Sequence, residues 1–213
     1  MILIEQLTKA FGHRKLFSET NLTFENGKVY ALIGSSGCGK TTLLNILAKL
    51  ESYDSGQVYY DGVDLKTMKS QSFFRHELGY LFQNFGLLES QTIQENLDLG
   101  LVGKKVGKTE RLTLQKQALS QVGLDYLDLS QKVFELSGGE AQRVALAKVI
   151  LKDPPLILAD EPTASLDPKT SEDIMQKLLS LKNDHRIIII ATHNPKIWQL
   201  ADEVINIASI ANV

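Results

Sequence analysis

The chain has 213 residues, 43% of them apolar, with 23 Lys and Arg against 25 Asp and Glu. These are ordinary globular values, which exclude a fibrous or disordered protein, and a net charge of -2 lacks the basic footprint of a dedicated nucleic-acid binder. A single cysteine, Cys38, forms no intrachain disulfide and fits a reducing compartment. No stretch approaches the ~18 apolar residues of a membrane span, so we expect any membrane role to come through a partner.

The first third of the chain carries strand and turn signals. Asn26-Gly27 and Asp61-Gly62 each lie between two apolar runs, which predicts two β-hairpins, because these dipeptides tolerate positive φ angles. Between them, Val29 to Gly34 reads as a buried strand that enters a glycine-rich turn and then a helix, KTTLLNILAKL.

The rest of the chain alternates between helices and short strands. Two apolar strands, Leu156–Asp160 and Arg186–Thr192, flank a segment with helical apolar spacing, PKTSEDIMQKLLSLK. This alternation predicts an α/β fold with a parallel sheet covered by helices, preceded by an antiparallel β-subdomain. Helical signals and little strand character favour a helical subdomain at about 86–139, inserted into a core of about 1–85 and 140–213 within one domain, 1–213.

GSSGCGKTT matches the phosphate-binding pattern G-x-x-x-x-G-K-[ST] and lies between a strand and a helix, as that pattern requires. Glycines let successive backbone N–H groups converge on phosphate oxygens, and the helix N-terminus adds partial positive charge. Lys40 is expected to reach the β- and γ-phosphates, Thr41 to bind Mg²⁺ and Thr42 to donate to the α-phosphate. The candidate nucleotide-binding residues of this loop are Gly34, Ser35, Ser36, Gly37, Cys38, Gly39, Lys40, Thr41 and Thr42.

Polar side chains follow two later strands. Asp160 and Glu161 end LILADE, and His193 ends RIIIIATH. Because ligands gather at the carboxyl ends of parallel strands, we expect Asp160 to hold Mg²⁺, Glu161 to act as general base and His193 to contact the γ-phosphate. An acidic pair in solvent and a structural histidine are the alternatives, and the phosphate loop upstream favours function.

A second helix opens on two glycines in FELSGGEAQRVALAK. Ser137 and Glu140 have the spacing of a capping box, which makes Ser137 the predicted start of this helix. Gly138 and Gly139 then lie in the first turn, where they leave N–H groups uncovered and create a second anion site. One nucleotide has one terminal phosphate, so the two sites are either redundant or shared between molecules, and residue physics alone leaves both open.

The order of these motifs resembles the ATP-binding cassette family over nearly the whole chain. LSGGE, Leu136 to Glu140, resembles its signature motif; GSSGCGKTT resembles Walker A, which implies a P-loop NTPase core; and LILADE resembles Walker B. The remaining landmarks of the family match Phe11 as the adenine-stacking aromatic, Gln83 as the Q-loop glutamine, Ala164 to Asp167 as the D-loop and His193 as the switch histidine.

This resemblance implies a mechanism that a single copy cannot complete. Two cassettes pack head to tail, so that Ser137 and Gly139 of one copy hold the γ-phosphate bound by Lys40 of the other. Gln83 is implied to touch Mg²⁺ and the attacking water, and to relay the nucleotide state to a transmembrane permease. Together with Glu161, His193 and Lys40, it forms the implied catalytic set, with ATP and Mg²⁺ as cofactors.

YLFQNFGLLE, TIQENLDLGL and LILADEPTASLDP more narrowly resemble the stand-alone ATPases of bacteriocin export, the lactococcin type, which are relatives of macrolide-export and lipoprotein-release ATPases. The resemblance implies an ATPase on the cytoplasmic, inner face of the membrane that powers peptide export, with no nucleic-acid partner. Because every catalytic element is intact, we expect a homodimer with two working sites, although the sequence alone leaves a heterodimer open. An importer, a lipoprotein-extraction complex or a soluble cassette of DNA repair or the ribosome are the alternatives. Ala141, Lys148 and Phe11 depart from the family's usual glutamine, arginine and tyrosine, and none removes a group that hydrolysis needs.

Overall fold

The computed structural model describes residues 1–164 and 166–210, and over this part of the chain the strands form two sheets. The strands are β1 (Ile2–Phe11), β2 (Arg14–Phe24), β3 (Val29–Ile33), β4 (Ser55–Tyr60), β5 (Val63–Asp64), β6 (Leu78–Leu81), β7 (Leu156–Asp160), β8 (Ile187–Ala191) and β9 (Glu203–Asn206).

The α-helices connect these strands. They are α1 (Lys40–Leu47), α2 (Ser70–Ser72), α3 (Ile93–Asp98), α4 (Lys108–Gln121), α5 (Gly138–Lys152), α6 (Pro168–Ser180), α7 (Pro195–Trp198) and α8 (Ile207–Ile210). A π-helix covers Phe73–Glu77, and 3₁₀ turns cover Leu99–Leu101 and Val133–Glu135. Among the described residues, no helix combines the length and apolarity that a membrane crossing requires.

The first sheet is antiparallel, with strand order β2-β1-β4-β5. β1 and β2 pair along their whole length, from Ile2 opposite Phe24 to Phe11 opposite Arg14. β4 and β5 pair across Asp61-Gly62, which confirms the hairpin predicted there.

The second sheet is parallel, with strand order β6-β7-β8-β3-β9, as the strand–helix alternation predicted. β8 lies between β7 and β3, with Asp160 opposite Ala191 and Leu32 opposite the same alanine. Because all strands run the same way, the residues that follow β3, β7 and β8 meet at one edge of the sheet.

The hairpin predicted at Asn26-Gly27 is wrong. β2 belongs to the antiparallel sheet and β3 to the parallel one, and the Gly27 N–H donates to the carbonyl of Arg186 at 2.9 Å. β3 is an almost fully buried run that pairs with β8 and β9. Burial on both faces of the parallel sheet outweighs a local turn signal, because it removes far more apolar surface from water.

Two apolar cores lie on opposite faces of the parallel sheet. Successive strand residues point to opposite faces, so Leu158 joins the core that contains α1 and the antiparallel sheet, and Ile157 joins the core of α3 to α6. The helices predicted in TIQENLDLGL and RLTLQKQALSQVGL appear as α3 and α4, and their buried faces contribute to this second core.

Gly79 on β6 marks a close approach between the sheet and the segment that follows α5. A Cβ at this position would lie 2.7 Å from Pro154 Cγ and 3.2 Å from Val149 Cγ1, which is closer than side-chain carbons pack. The small residue therefore lets α5 and the turn before β7 rest directly on β6.

We expect Gly79→Ala to lower the free energy of unfolding by about 1–3 kcal/mol, the usual cost of overpacking a filled core. Urea unfolding measures this loss. Pro154→Ala removes the nearer obstacle, so Gly79→Ala should cost less in that background, and equal costs in the two backgrounds would contradict the steric explanation.

Candidate functional site

The glycine-rich loop connects β3 to α1. Gly39 precedes the helix with a φ of 112°, and a Cβ there would lie 3.0 Å from the Phe17 ring, so the position requires glycine on both counts. The Lys40 side chain turns back into the loop, where Nζ donates to the carbonyls of Gly34 at 2.8 Å and Ser35 at 3.4 Å. The loop thus holds a buried ammonium beside the N-terminus of α1, an arrangement suited to an anion.

This loop forms one wall of a cavity of about 420 Å³. The lining residues are Gly34, Ser36, Gly37, Gly39, Lys40, Thr41, Thr42, Gln83, Glu161, Ala164 and His193. The structure therefore brings together candidate residues from four separate parts of the sequence. Ser35, Cys38 and Asp160 adjoin this wall, whereas Phe11 and Leu136–Glu140 lie elsewhere on the described part of the molecule.

Asp160 ends β7 directly behind the loop. The Thr41 hydroxyl donates to Asp160 Oδ1 at 3.2 Å, and the carboxyl group is only 5% exposed. Burial raises the pKa of Asp160, and the hydrogen bond from Thr41 opposes that shift. A hydroxyl and a desolvated carboxylate are oxygen ligands of the kind that Mg²⁺ accepts, so these side chains fit that ion.

The described residues contain no cluster of three or more His, Cys, Asp or Glu that would hold a metal by themselves.

Glu161 has a left-handed backbone, with a φ of 45°, an uncommon conformation for a residue with a side chain. Its N–H donates to the Ala191 carbonyl at 2.9 Å, which ties the turn after β7 to the end of β8. His193 follows β8, and its Nδ1 lies 2.8 Å from Glu161 Oε2. The strained turn thus directs the carboxylate toward the cavity and toward the imidazole.

The glycine-headed helix begins where the sequence predicts. Ser137 caps α5, its hydroxyl accepts the Glu140 N–H at 3.3 Å, and its own N–H and hydroxyl donate to Glu140 Oε2 at 2.8 and 2.6 Å. Tyr126 donates to the other carboxylate oxygen at 2.9 Å, and the bonds from Ser137 lower the pKa of Glu140. The first N–H groups of a helix lack intrahelical partners, so Gly138 and Gly139 keep donors for an external acceptor.

Gln83 is exposed in the turn that follows β6. The segment beyond it packs along α5: Lys148 Nζ donates to the Gly86 carbonyl at 2.6 Å, and Gly138 lies beside the Phe85 ring. Burial lowers the pKa of Lys148 to about 8. The segment that follows the glutamine at the cavity is thereby in contact with α5, from its first turn to Lys148.

The predicted D-loop leads into α6. Asp167 caps this helix by accepting the N–H groups of Lys169 at 3.1 Å and Thr170 at 3.0 Å. Hydrogen bonding from the side chain of Thr170, followed by the bonds from the backbone, lowers the pKa of Asp167. Ala164 lines the cavity, and Ser165, the middle of the predicted motif, lies outside the described residues.

Phe11 lies at the end of β1 with 49% of its surface exposed. It pairs with Arg14, whose Nη2 donates to the Gly37 carbonyl of the phosphate loop at 2.8 Å. Sequence reasoning missed Arg14, because no motif marks it; its position three residues after the aromatic was the only available signal. The exposed ring is nevertheless tied to the loop through its cross-strand neighbour.

Comparisons with known proteins agree with this geometry. The family model described as ABC transporter matches residues 17–164. The chain is similar to the methionine import ATP-binding protein MetN of Latilactobacillus sakei, with 38% identity over 91% of this chain and 58% of that one. It is also similar to the macrolide export ATP-binding/permease protein MacB of Campylobacter jejuni, with 34% identity over 97% of this chain and 33% of that one.

Among solved structures, the dimeric post-hydrolysis state of the ATP-binding cassette MJ0796 bound to ADP and Pi superimposes with a TM-score of 0.85. The two sequences are 30% identical, and the superposition covers 98% of this chain and 95% of the MJ0796 chain. A protein of that designation from Methanocaldococcus jannaschii is described as an uncharacterized ABC transporter ATP-binding protein. With its family model, its relatives and its fold in agreement, the chain belongs to the ABC transporter family and is an ATPase domain of that family.

Proposed function

We propose that this chain is the ATPase subunit of an exporter, and that two copies hydrolyse ATP at their interface to drive a peptide or bacteriocin-like substrate through a separate permease. The export of a peptide rests on the resemblance of the motifs to bacteriocin-export ATPases, and the observation that carries hydrolysis between two copies is the division of the site. One cavity contains Lys40, Gln83, Glu161 and His193, whereas the open N–H groups of α5 lie outside it. A second copy supplies what the first lacks.

The phosphate loop binds the triphosphate. Lys40 leaves the carbonyls of Gly34 and Ser35 for the β- and γ-phosphate oxygens, and the N–H groups at the start of α1 hold the same anion. Thr42 donates to the α-phosphate, and Phe11 stacks on adenine. The other loop residues contribute mainly backbone groups, so their side chains affect affinity less than Lys40 does.

Glu161 accepts a proton from the attacking water. His193 orients this carboxylate through its 2.8 Å contact and presents its other ring nitrogen to the γ-phosphate. Gln83, which lines the same cavity, positions the water. Thr41, Asp160 and Gln83 are the residues that would hold Mg²⁺, which when bound neutralises charge on the β- and γ-phosphates.

The second anion site acts between copies. In a two-fold dimer, Ser137 and the N–H of Gly139 from one copy reach the γ-phosphate in the other. The motif Leu136 to Glu140 presents these groups, because it contains the N-cap and the first turn of α5. Asp167, which caps α6 beside this helix, lies at the same interface. ATP joins the two copies, and its hydrolysis releases them.

The arrangement of the chain supports one nucleotide-binding domain, 1–213, in which a helical subdomain of about 86–139 moves against the core. Gln83 lies where the core meets the helical subdomain. The residues that follow it contact α5, and through these contacts the state of the nucleotide would be transmitted to the permease. The ATPase then works in the cytoplasm on the inner face of the membrane, and nucleic acid is not a partner.

The similarity to a methionine import protein favours a second candidate, the ATPase of an importer. The resemblance to lipoprotein-release ATPases favours lipoprotein extraction in the same way. The hydrolytic machinery is the same in each, so the permease alone separates them. Affinity purification of the tagged chain from detergent-solubilised membranes should recover a permease, and reconstitution with candidate peptides should stimulate ATP hydrolysis if the substrate is a peptide.

Replacement of the proposed base tests the chemistry. Glu161→Gln keeps size and hydrogen bonding but accepts no proton, so kcat should fall at least ~100-fold, in line with loss of general-base catalysis. Light scattering after size exclusion should show a stable dimer in ATP and a monomer in ADP. Near-normal turnover by the variant would contradict the role given to Glu161.

A mixing experiment tests the shared site. Lys40→Ala removes the phosphate-binding ammonium and Ser137→Arg blocks the end of α5, so each variant alone should be inactive. When the two variants are mixed in equal amounts and pair at random, half of the dimers contain one copy of each and carry one intact composite site out of two. Activity should therefore recover to about a quarter of the original.

In the control, either single variant is mixed with the double variant Lys40→Ala/Ser137→Arg. No dimer in that mixture contains an intact composite site, so ATPase activity should not recover. Activity of either single variant as an isolated monomer at the original rate would contradict a site built from two copies.

A further inference from the structure

The exposed ring of Phe11 rests on a buried ammonium group. Lys9 and Phe11 are two residues apart on β1, so their side chains lie on the same face of the antiparallel sheet. Lys9 Nζ lies 4.5 Å from the centre of the Phe11 ring, within the range of a cation–π contact. Lys9 is 5% exposed and Phe11 49%, so the ammonium supports the ring from within while much of the ring stays open to solvent.

The ammonium is itself held in place. Glu51 Oε1 accepts from Lys9 Nζ at 2.7 Å, and the Glu51 N–H donates to the Asn45 carbonyl of α1 at 3.1 Å. Asp54, in the same connection after α1, accepts the Ala10 N–H at 2.7 Å. The aromatic ring is therefore tied to the C-terminal end of the helix whose N-terminus forms the phosphate site.

We propose that Lys9 is a positioning residue for the nucleotide base: it fixes the Phe11 ring and strengthens the stacking of that ring on adenine. This role rests on the proposed function, in which Phe11 contacts adenine. An aromatic face carries negative charge density, and so does the face of adenine. A cation behind the ring draws that density inward and reduces the repulsion between the two stacked faces.

The alternative explanation is that the ion pair between Lys9 and Glu51 is purely structural and holds β1 against the connection after α1. That alternative predicts equal effects on every ligand of the phosphate loop. A role in base stacking predicts an effect on nucleotides that is absent for a phosphate chain with no base.

The test compares the affinities of ATP and of inorganic tripolyphosphate, measured by calorimetry without Mg²⁺ to prevent turnover. Lys9→Met keeps the length of the side chain and removes its charge. We expect it to weaken ATP binding by about three- to tenfold, the range of a partly desolvated cation–π contact, and to leave tripolyphosphate binding within about twofold. Lys9→Arg keeps a cation over the ring and should restore ATP binding to within about twofold.

Lys15→Met is the matched control. Lys15 is exposed on the same hairpin and pairs with Ala10, so this variant removes one positive charge from the hairpin without touching the ion pair. Both ligands should bind it as they bind the parent chain. If Lys9→Met alone fails to fold, the double variant Lys9→Met/Glu51→Gln takes its place, because it leaves no unpaired charge at Glu51. It should show the same selective loss of ATP affinity.

Phe11→Ala separates the failure of this proposal from that of the proposed function. If Phe11→Ala weakens ATP binding and Lys9→Met does not, the stack stands and the role of Lys9 is overturned. If Lys9→Met weakens both ligands equally, the pair is structural and the role is again overturned. If Phe11→Ala leaves ATP affinity unchanged, the aromatic does not contact the base, and the proposed adenine stack fails together with the role of Lys9.

Discussion

Parallel pairing of β3, β8 and β7 is the constraint on which the site depends. Thr41, which follows β3, is 119 positions from Asp160 at the end of β7, and Glu161 and His193 follow β7 and β8. The shared strand direction delivers all four residues to one edge of the sheet. Without that register, Thr41 would not meet Asp160, and His193 would not meet Glu161. The apolar strands therefore serve the chemistry indirectly, because burial of their side chains on both faces holds the polar ends in line.

The same fold keeps the second anion site apart from the first. α5 begins at a capped serine and packs its length against β6 and the helical segment, so its N-terminus cannot turn toward the cavity of its own chain. Two glycines in the first turn leave the backbone accessible where any larger side chain would cover it. Such a helix end suits a ligand carried by another molecule, as in the dimer that we propose.

Desolvated lysines connect the parts of the site. Lys148 reaches a carbonyl beyond Gln83, and Lys9 reaches a carboxylate at the end of α1 and the ring of Phe11. Removing an ammonium from water is costly, so each such group needs close polar partners that fix its position. These contacts tie the loop after β6 to α5 and the aromatic at the end of β1 to the end of α1.

The sequence alone determined the local elements: the phosphate loop between strand and helix, and the capping box at Ser137. Each depends on residues within one short window of the chain, so spacing is enough to specify it. The order of the motifs also carried the family resemblance and, with it, most of the candidate site.

Only the tertiary structure decided which sheet β3 enters, why Gly79 has no side chain, and which groups support Phe11. The turn signal at Asn26-Gly27 was locally sound, but β3 took its partners from β8 and β9, more than 150 residues away. Arg14 and Lys9 carry no motif, and their partners at Gly37 and Glu51 come from other elements. Contacts between residues distant in sequence depend on how whole elements pack, and that packing is not encoded in any single short window.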